Sequence, residues 1–325
     1  MKDILVIIPQ FNNLDLLKSC INSLEAQVYA RYDILVVDNN STDGTRDYLN
    51  SIDVEKILLD DNIGFAGAVN KGLEYAQDKN YPYAILLNND TEVDTDFIQE
   101  LKNKISSDDK IFSASSFMIS MKDKSIVDDA GDSYTILGFA FQNSTGQKIN
   151  NYIKRENIFS SCAGAAIYNM KILKEVGFFD KMHFAYLEDI DLGYRAKING
   201  YKNVFAENAI CYHVGSATSG SKYNKFKVRL SSRNNIYLIY KNMPLLQILI
   251  NLPFLILGTL VKQVFFIKKG FGGDFFFGII DGIKDLPKLN KVKFRFGNII
   301  NYVKIEIELI INTFFYFIDY IKRHV

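Results

Sequence analysis

Three groups of side chains have types and spacings that can do chemistry. Asn88-Asn89-Asp90 follows an apolar run and precedes Thr91-Glu92-Val93-Asp94. A carboxylate placed there can hold a hard divalent cation through oxygen, and such a cation offsets the charge that builds on a departing phosphate oxygen. The same triplet also suits plain turn chemistry, and alone it favours neither. His213, followed by Val214-Gly215-Ser216, is a residue type that more often serves structure than ligation. Beside carboxylates, though, an imidazole suits a Mn²⁺ or Mg²⁺ site, manganese better than magnesium. Glu188-Asp189-Ile190-Asp191 comes after the aromatic run 183–187. Acidic residues at a helix start commonly cap it and complement its dipole. Three within four residues exceed that need, so one is free to face a reacting hydroxyl as general base. Asp189 is the first candidate and Glu188 the second.

The elements that must carry these residues alternate between two periods. Ile4–Ile8, Ile34–Val37, Lys56–Leu59 and Tyr83–Leu87 are short apolar, β-branched runs, fit for strands buried on both faces. Helical spacing of apolar residues separates them at 14–27 and 65–77, with a shorter helix after the turn signal Ser41-Thr42-Asp43-Gly44. This alternation predicts an α/β fold, a doubly wound and mostly parallel sheet of Rossmann-like type. Ligands bind such sheets outside the carboxyl ends of the strands. Polar clusters occupy those ends at 9–12, 38–43, 60–64 and 88–90. In the third, Asn62-Ile-Gly64-Phe-Ala-Gly-Ala-Val-Asn70-Lys-Gly72 lets backbone approach a ligand closely and offers a helix N-terminus to phosphate. It is neither GxGxxG nor GxxxxGK[ST], which argues against a standard dinucleotide fold and a P-loop ATPase. The pattern weakens into short strands and loops between 112 and 147. Beyond it the sequence predicts a helix over 188–199 and two short strands, 203–206 and 209–213.

Over its 325 residues the chain is 48% hydrophobic and 23% charged, enough to bury a core, and its net charge of +1 gives no reason to expect nucleic acid. The charge is uneven. Residues 241–325 hold 12 Lys+Arg and 6 Asp+Glu, a balance of +6 that leaves −5 for residues 1–240. That C-terminal part is also apolar: 244–261 is nearly free of polar residues, followed by Phe-rich, Lys-rich sequence. Eighteen residues is the lower edge for a membrane span. The aromatic and lysine content instead predicts helices lying in a membrane interface, with a span, a core helix or a subunit contact as the other options. The expected division is therefore 1–240, an α/β catalytic domain, and 241–325, a helical membrane-associating extension. Cys20, Cys162 and Cys211 form no pair motif, and Met1-Lys2-Asp3 runs straight into a strand with no signal-peptide layout. Both features predict a cytoplasmic protein, peripheral on the inner face of the membrane.

Taken together, Ile7-Ile-Pro-Gln-Phe-Asn12, Val37-Asp-Asn-Asn-Ser-Thr-Asp-Gly44, Asn62 to Gly72, Leu87-Asn-Asn-Asp-Thr91, Cys162-Ala-Gly-Ala165, Leu187-Glu-Asp-Ile-Asp-Leu192 and His213-Val-Gly215 resemble the family 2 glycosyltransferases of the GT-A fold, in their rhamnosyltransferase-like branch. The resemblance spans about residues 4 to 235. It implies an inverting, metal-dependent transfer of a sugar from a nucleotide diphosphate (dTDP-rhamnose first, then UDP-sugars) to a saccharide or lipid-linked acceptor. Pro9, Asn12, Asp38, Asn39, Gly64, Asn70 and Asn89 would line the nucleotide. Asp90 would close the DxD-type metal motif, with His213 a further ligand to Mn²⁺ or Mg²⁺, and Asp189 would be the base. Arg229 and Arg233, one helical turn apart after the Gly/Ser stretch 215–221, would close over the diphosphate; a solvated basic face explains them equally well. The sequence departs from the family pattern at Asn88, where Asp is usual, leaving fewer charges for the cation.

Two other classes stay open. A nucleotidyltransferase making nucleotide sugars also uses an α/β nucleotide fold, but it would need a basic, glycine-rich phosphate loop after the first strand, where this chain has Pro9-Gln10-Phe11-Asn12. A membrane-associated scaffold that keeps the fold without catalysis is the other. The apolar C-terminal surface also allows a homo-oligomer.

Overall fold

The computed structural model describes residues 2–215 and 223–324. The four expected strands form: β1 (Ile4–Gln10), β2 (Tyr32–Asp38), β3 (Glu55–Leu58) and β4 (Tyr83–Leu87), separated by helices α1 (Leu14–Glu25), α2 (Thr45–Ser51) and α3 (Gly64–Asp78). They pair in parallel in the order β4-β1-β2-β3. β1 is buried on both faces, as its unbroken apolar run requires. Ile4, Val6 and Ile8 pack with Leu17, Ile21 and Leu24 of α1; Leu5 and Ile7 face Ala66, Val69 and Leu73 of α3. The α3 contact is close because of Gly72: a Cβ there would lie 2.3 Å from Cγ2 of Ile7.

The second half of the sheet is mixed. Short strand β5 (Thr91–Val93) and helix α4 (Phe97–Ile105) lead to β6 (Ile111–Ser120). The weakly patterned stretch contains β7 (Val127–Asp129), β8 (Asp132–Tyr134), β9 (Ala140–Gln142) and β10 (Asn157–Ile158), too short to carry a period. Then come β11 (Ala165–Asn169), α5 (Met170–Val176), α6 (Glu188–Ile198) and β12 (Lys202–His213). The full order is β10-β12-β6-β11-β4-β1-β2-β3, with β11 antiparallel to both neighbours and β12 parallel to β6. The two strands expected at 203–206 and 209–213 are one strand, interrupted by a register shift between Ala206 and Ile210.

The expected boundary at 240/241 falls inside the last turn of α7 (Lys225–Asn242), and Lys241 and Asn242 are buried against Asp191 of α6. Helices α8 (Leu245–Lys268), α9 (Gly272–Asp285) and α10 (Ile299–His324) then pack onto the α/β part. Both long helices turn apolar side chains outward. α8 buries Gln247, Asn251, Leu255 and Gly258, its two amides donating to Glu306 of α10, while Leu245, Leu249, Ile256 and Leu260 lie outside. α10 buries Tyr302, Ile305 and Leu309 together with Asn312 and Asp319, and exposes Ile300, Val303, Phe314 and Phe317. A surface helix in water shows the reverse pattern. Among the described residues α8, at 24 residues and mean hydropathy 1.9, is the one helix long and apolar enough to cross a membrane. It is six residues longer than the apolar run 244–261 indicates.

Candidate active site

The carboxyl ends of β1, β2 and β4 open on one edge, where backbone strain collects: Asn12, Asn13 and Asn40 all have positive φ. These loops brace each other. Asn12 N–H donates to Ser41 Oγ (2.8 Å), and Asn12 Oδ1 accepts Thr42 N–H (2.9 Å). Asp38 is fully buried. Its Oδ2 accepts from Arg46 Nε at 2.8 Å, and its Oδ1 has no partner. A buried carboxylate oxygen without a donor is costly. A cleft of about 660 Å³ lies beside it, lined by Asn12, Asn13, Thr42 and Asp43 among others.

Not every residue expected at the nucleotide faces open space. Asn70 is buried, with Nδ2 donating to the Phe179 carbonyl (2.8 Å) and Oδ1 accepting its N–H (3.1 Å). Its amide therefore fixes the segment before α6. Asn89 Nδ2 donates to Gln10 Oε1 (2.7 Å) and Asn12 O (3.2 Å), tying the β4 end to the β1 loop. Asn39 binds Asn62 Oδ1 (2.9 Å) and Gly64 O (3.2 Å) and receives Ile63 N–H. Gly64, at φ +78°, is needed by the fold: a Cβ would lie 2.6 Å from the carbonyl oxygen of Phe184. Pro9 is part of β1, paired with Val37.

Asp90 and His213 come together. Nε2 of His213 stands 3.4 Å from Oδ1 of Asp90, and Nδ1 stands 2.6 Å from Oδ2 of Asp128. β12 places His213 beside Ser120 of β6, and β7 pairs with the same end of β6, bringing Asp128 within reach. Burial alone would lower the His213 pKa, but the bonds to Asp128 and Asp90 outweigh it and raise it to about 10. A 3.4 Å gap is close to the separation of adjacent ligands on one cation, about 3 Å for metal–ligand bonds of 2.0–2.3 Å. Asp128 supplies the carboxylate that commonly orients a ligating imidazole. Asp90 and His213 fit a divalent ion as two protein donors: the ion would displace the Nε2 proton of the imidazole, and its remaining positions would be left to water or phosphate oxygens.

The helix start at 188 sorts its three carboxylates. Asp191 is fully buried between Arg195 Nε (2.9 Å), Lys241 Nζ (2.9 Å) and Asn242 Nδ2 (2.8 Å). Burial opposes its charge, yet Lys241 and Arg195 hold its carboxyl far below the usual range. It is structural. Asp189 keeps some exposure and accepts Ile190 N–H at 2.7 Å. Its carboxyl is raised above the ordinary value by burial, and it hydrogen-bonds Asp132 of β8. Asp132 is pushed well above the carboxylate range by burial and then by the charges of Asp129 and Asp189. Glu188 is buried and raised by burial first and then by the charges of Asp189 and Asp191, with Oε2 unpartnered.

A strained loop aims this group. Phe184, Tyr186 and Leu187 have φ of 63°, 70° and 65°, a conformation costing about 1–3 kcal/mol per residue. α7 holds it in place. Asn234 Nδ2 donates to the carbonyls of His183 (2.9 Å), Ala185 (2.8 Å) and Tyr186 (2.8 Å). Arg233 donates to the carbonyls of Met182 (3.0 Å) and His183 (3.1 Å), while Arg229 pairs with Asp281 of α9 at 2.7 Å. Both arginines expected at the diphosphate thus bind protein here. Residues 216–221 of the Gly/Ser stretch lie outside the described residues. Asp128, Asp132 and Asn234 were missed in the sequence. A run of three acids in 128–132 was the available signal for the first two.

The model of the glycosyl transferase family 2 matches residues 5–177, more than half of the chain. TuaG of Bacillus subtilis, a glycosyltransferase named for teichuronic acid biosynthesis, is 32% identical over 100 residues, 29% of this chain and 38% of TuaG. Two solved structures are similar. GalNAc-T7 with UDP, GalNAc and Mn²⁺ superimposes at a TM-score of 0.59 with 14% identity, over 74% of this chain and 48% of that one. The mannosyltransferase PcManGT of Pyrobaculum calidifontis, with GDP-Man and Mn²⁺, gives 0.56 with 12% identity over 87% of both chains. The chain thus spans less than half the length of TuaG and GalNAc-T7. At these identities the solved structures share its fold, which is GT-A.

Proposed function

The chain belongs to glycosyl transferase family 2, and from that premise we propose that it transfers a sugar, with inversion, from a nucleotide diphosphate donor to a hydroxyl of a saccharide or lipid-linked acceptor. One observation carries the reading: Asp90 and His213 converge at 3.4 Å at the sheet edge where Asp38 keeps a buried, unpartnered oxygen. Asp38 would receive an N–H of the base, and Asp90 with His213 would hold Mn²⁺ or Mg²⁺. A bound cation would offset the charge developing on the departing diphosphate. Asp189 would take the proton of the attacking hydroxyl, and its raised pKa makes it the better base. Asp132 would orient Asp189 through their shared hydrogen bond. The acceptor oxygen then bonds to the anomeric carbon as the bond to the diphosphate breaks on the opposite face.

The donor is proposed as dTDP-rhamnose or a UDP-sugar. GalNAc-T7 was solved with UDP and PcManGT with GDP-Man, so the fold by itself does not choose. The exposed apolar faces of α8 and α10 support an enzyme that lies on a membrane. Incubation with a panel of nucleotide sugars and Mn²⁺, Mg²⁺ or EDTA tests this. Metal-dependent release of nucleoside diphosphate from one donor is expected. Silence across the panel, with lipid-linked acceptor extract present, would favour a non-catalytic scaffold.

A further inference from the structure

A separate cavity of about 320 Å³ lies between α7, α8, α9 and the β8–β9 turn. Its position is informative at both ends. Tyr186 and Leu187, which line one side, are the residues immediately before Glu188 and Asp189. Phe266 and Ile279 line another, on α8 and α9, which both expose apolar residues such as Leu260 and Phe277. The α8 wall is fixed by backbone contact, since a Cβ on Gly258 would lie 2.0 Å from the carbonyl oxygen of Leu137.

The charge of the lining is one-sided. Among the described residues lining the cavity two lysines, Lys227 and Lys262, are the charged groups, and there is no carboxylate. Lys262 Nζ donates to the Gly138 carbonyl at 3.2 Å and sits 4.6 Å from the Phe139 ring, with no ion-pair partner among the described residues. An apolar chamber with cations and no anion fits an amphiphile that carries negative charge at one end.

We propose that this cavity binds the aliphatic chain of a phosphorylated lipid acceptor, with Lys227 and Lys262 at its phosphate. The placement rests on Asp189 being the base for the acceptor hydroxyl. The sugar or hydroxyl end then lies toward Tyr186 and Leu187, and the chain runs between α8 and α9 toward their apolar outer face. The volume is at the small end of ligand pockets, so the cavity holds the first part of a chain and the membrane holds the rest.

Calorimetry on the full chain with decyl phosphate, decanol and inorganic phosphate tests this without any nucleotide sugar. Decyl phosphate is expected to bind at least tenfold tighter than either of the others. Ile279→Trp and Thr259→Trp, which fill the cavity from opposite helices, should each weaken it at least tenfold. Lys262→Met, which leaves the cavity open, should abolish the preference for decyl phosphate over decanol. Equal affinity for decyl phosphate and decanol in the unaltered chain would overturn the proposal. So would decyl phosphate binding unchanged in Lys262→Met and in whichever tryptophan variant folds. Because no donor is present, absence of sugar transfer would sink the enzymatic reading and leave this result standing, and the converse holds too.

Discussion

Asp128 Oδ2 lies 2.6 Å from Nδ1 of His213, leaving Nε2 turned toward Asp90. The acid fixes which nitrogen is available, as outer-sphere carboxylates do for ligating imidazoles. Asp128→Ala should therefore weaken Mn²⁺ binding by about 10–100-fold, read by calorimetry on the protein with nucleoside diphosphate present. Unchanged affinity would mean that Asp128 does not set the ring.

Asn234 makes three hydrogen bonds to the carbonyls of a strained loop, and it is fully buried. In Asn234→Ala the Ala185 and Tyr186 carbonyls lose that donor, while the His183 carbonyl keeps Arg233 and the Ala185 N–H. At about 1–3 kcal/mol for each buried group left unpaired, partly relieved by water, the expected loss is roughly 3 kcal/mol. Denaturant unfolding measures it. Turnover should fall more than nucleotide affinity, because the loop aims Glu188 and Asp189 and meets the nucleotide end through Phe184, against Gly64 and the Ala66 N–H.

His183 is buried between Tyr237 and the Asp191–Lys241 pair, and neither ring nitrogen has a partner. Burial is the main cause of its low pKa, about 4, with Lys241 and Arg195 adding to it and Asp191 and Asp180 opposing. The folded value lies below the unfolded one of about 6.5. Folding thus favours the neutral ring: the stabilisation is complete above pH 6.5 and is lost as pH falls from 6.5 through 4. The loss is about 3 kcal/mol by the usual conversion of pKa shift to free energy. His183→Phe removes no hydrogen bond, so it should fold and flatten that part of the stability–pH curve. An unchanged slope would assign it to another group.

Asp191 and Asp189 should respond oppositely to substitution. Removing one partner of a buried ion pair leaves an uncompensated charge, so Asp191→Ala should cost about 3–5 kcal/mol. Asp189→Asn should hardly affect the melting temperature. Thermal unfolding of the two variants side by side checks the pair, and similar losses would contradict the division of roles.

The sequence displayed what is periodic and local. β1 to β4 are continuous apolar runs buried on both faces, so their positions and the polar clusters at their ends were legible. Asp90, Asp189 and His213 were legible because each closes or opens a recognisable element. Asp128 and Asp132 were not, since β7 and β8 are three residues long and only pairing with β6 and β9 gives them neighbours. Asn70 and Asn89 show the converse problem. Side-chain amides near a ligand edge look alike in sequence whether they face ligand or, as here, a backbone group more than 75 residues away. Arg229 and Arg233 are similar: their spacing is clear, but Asp281 and the 182–183 carbonyls are supplied by tertiary contact alone.

The most direct test of the account is nucleoside diphosphate release by Asp189→Asn, using the donor and metal that the unaltered chain accepts, alongside calorimetric binding of that nucleotide. Loss of a general base costs about 10²–10⁴-fold. The account predicts turnover reduced by that factor with nucleotide affinity within about twofold of the unaltered chain, since base and nucleotide sites use different residues. Turnover retained within tenfold would contradict it and move the proton acceptor elsewhere, Glu188 first.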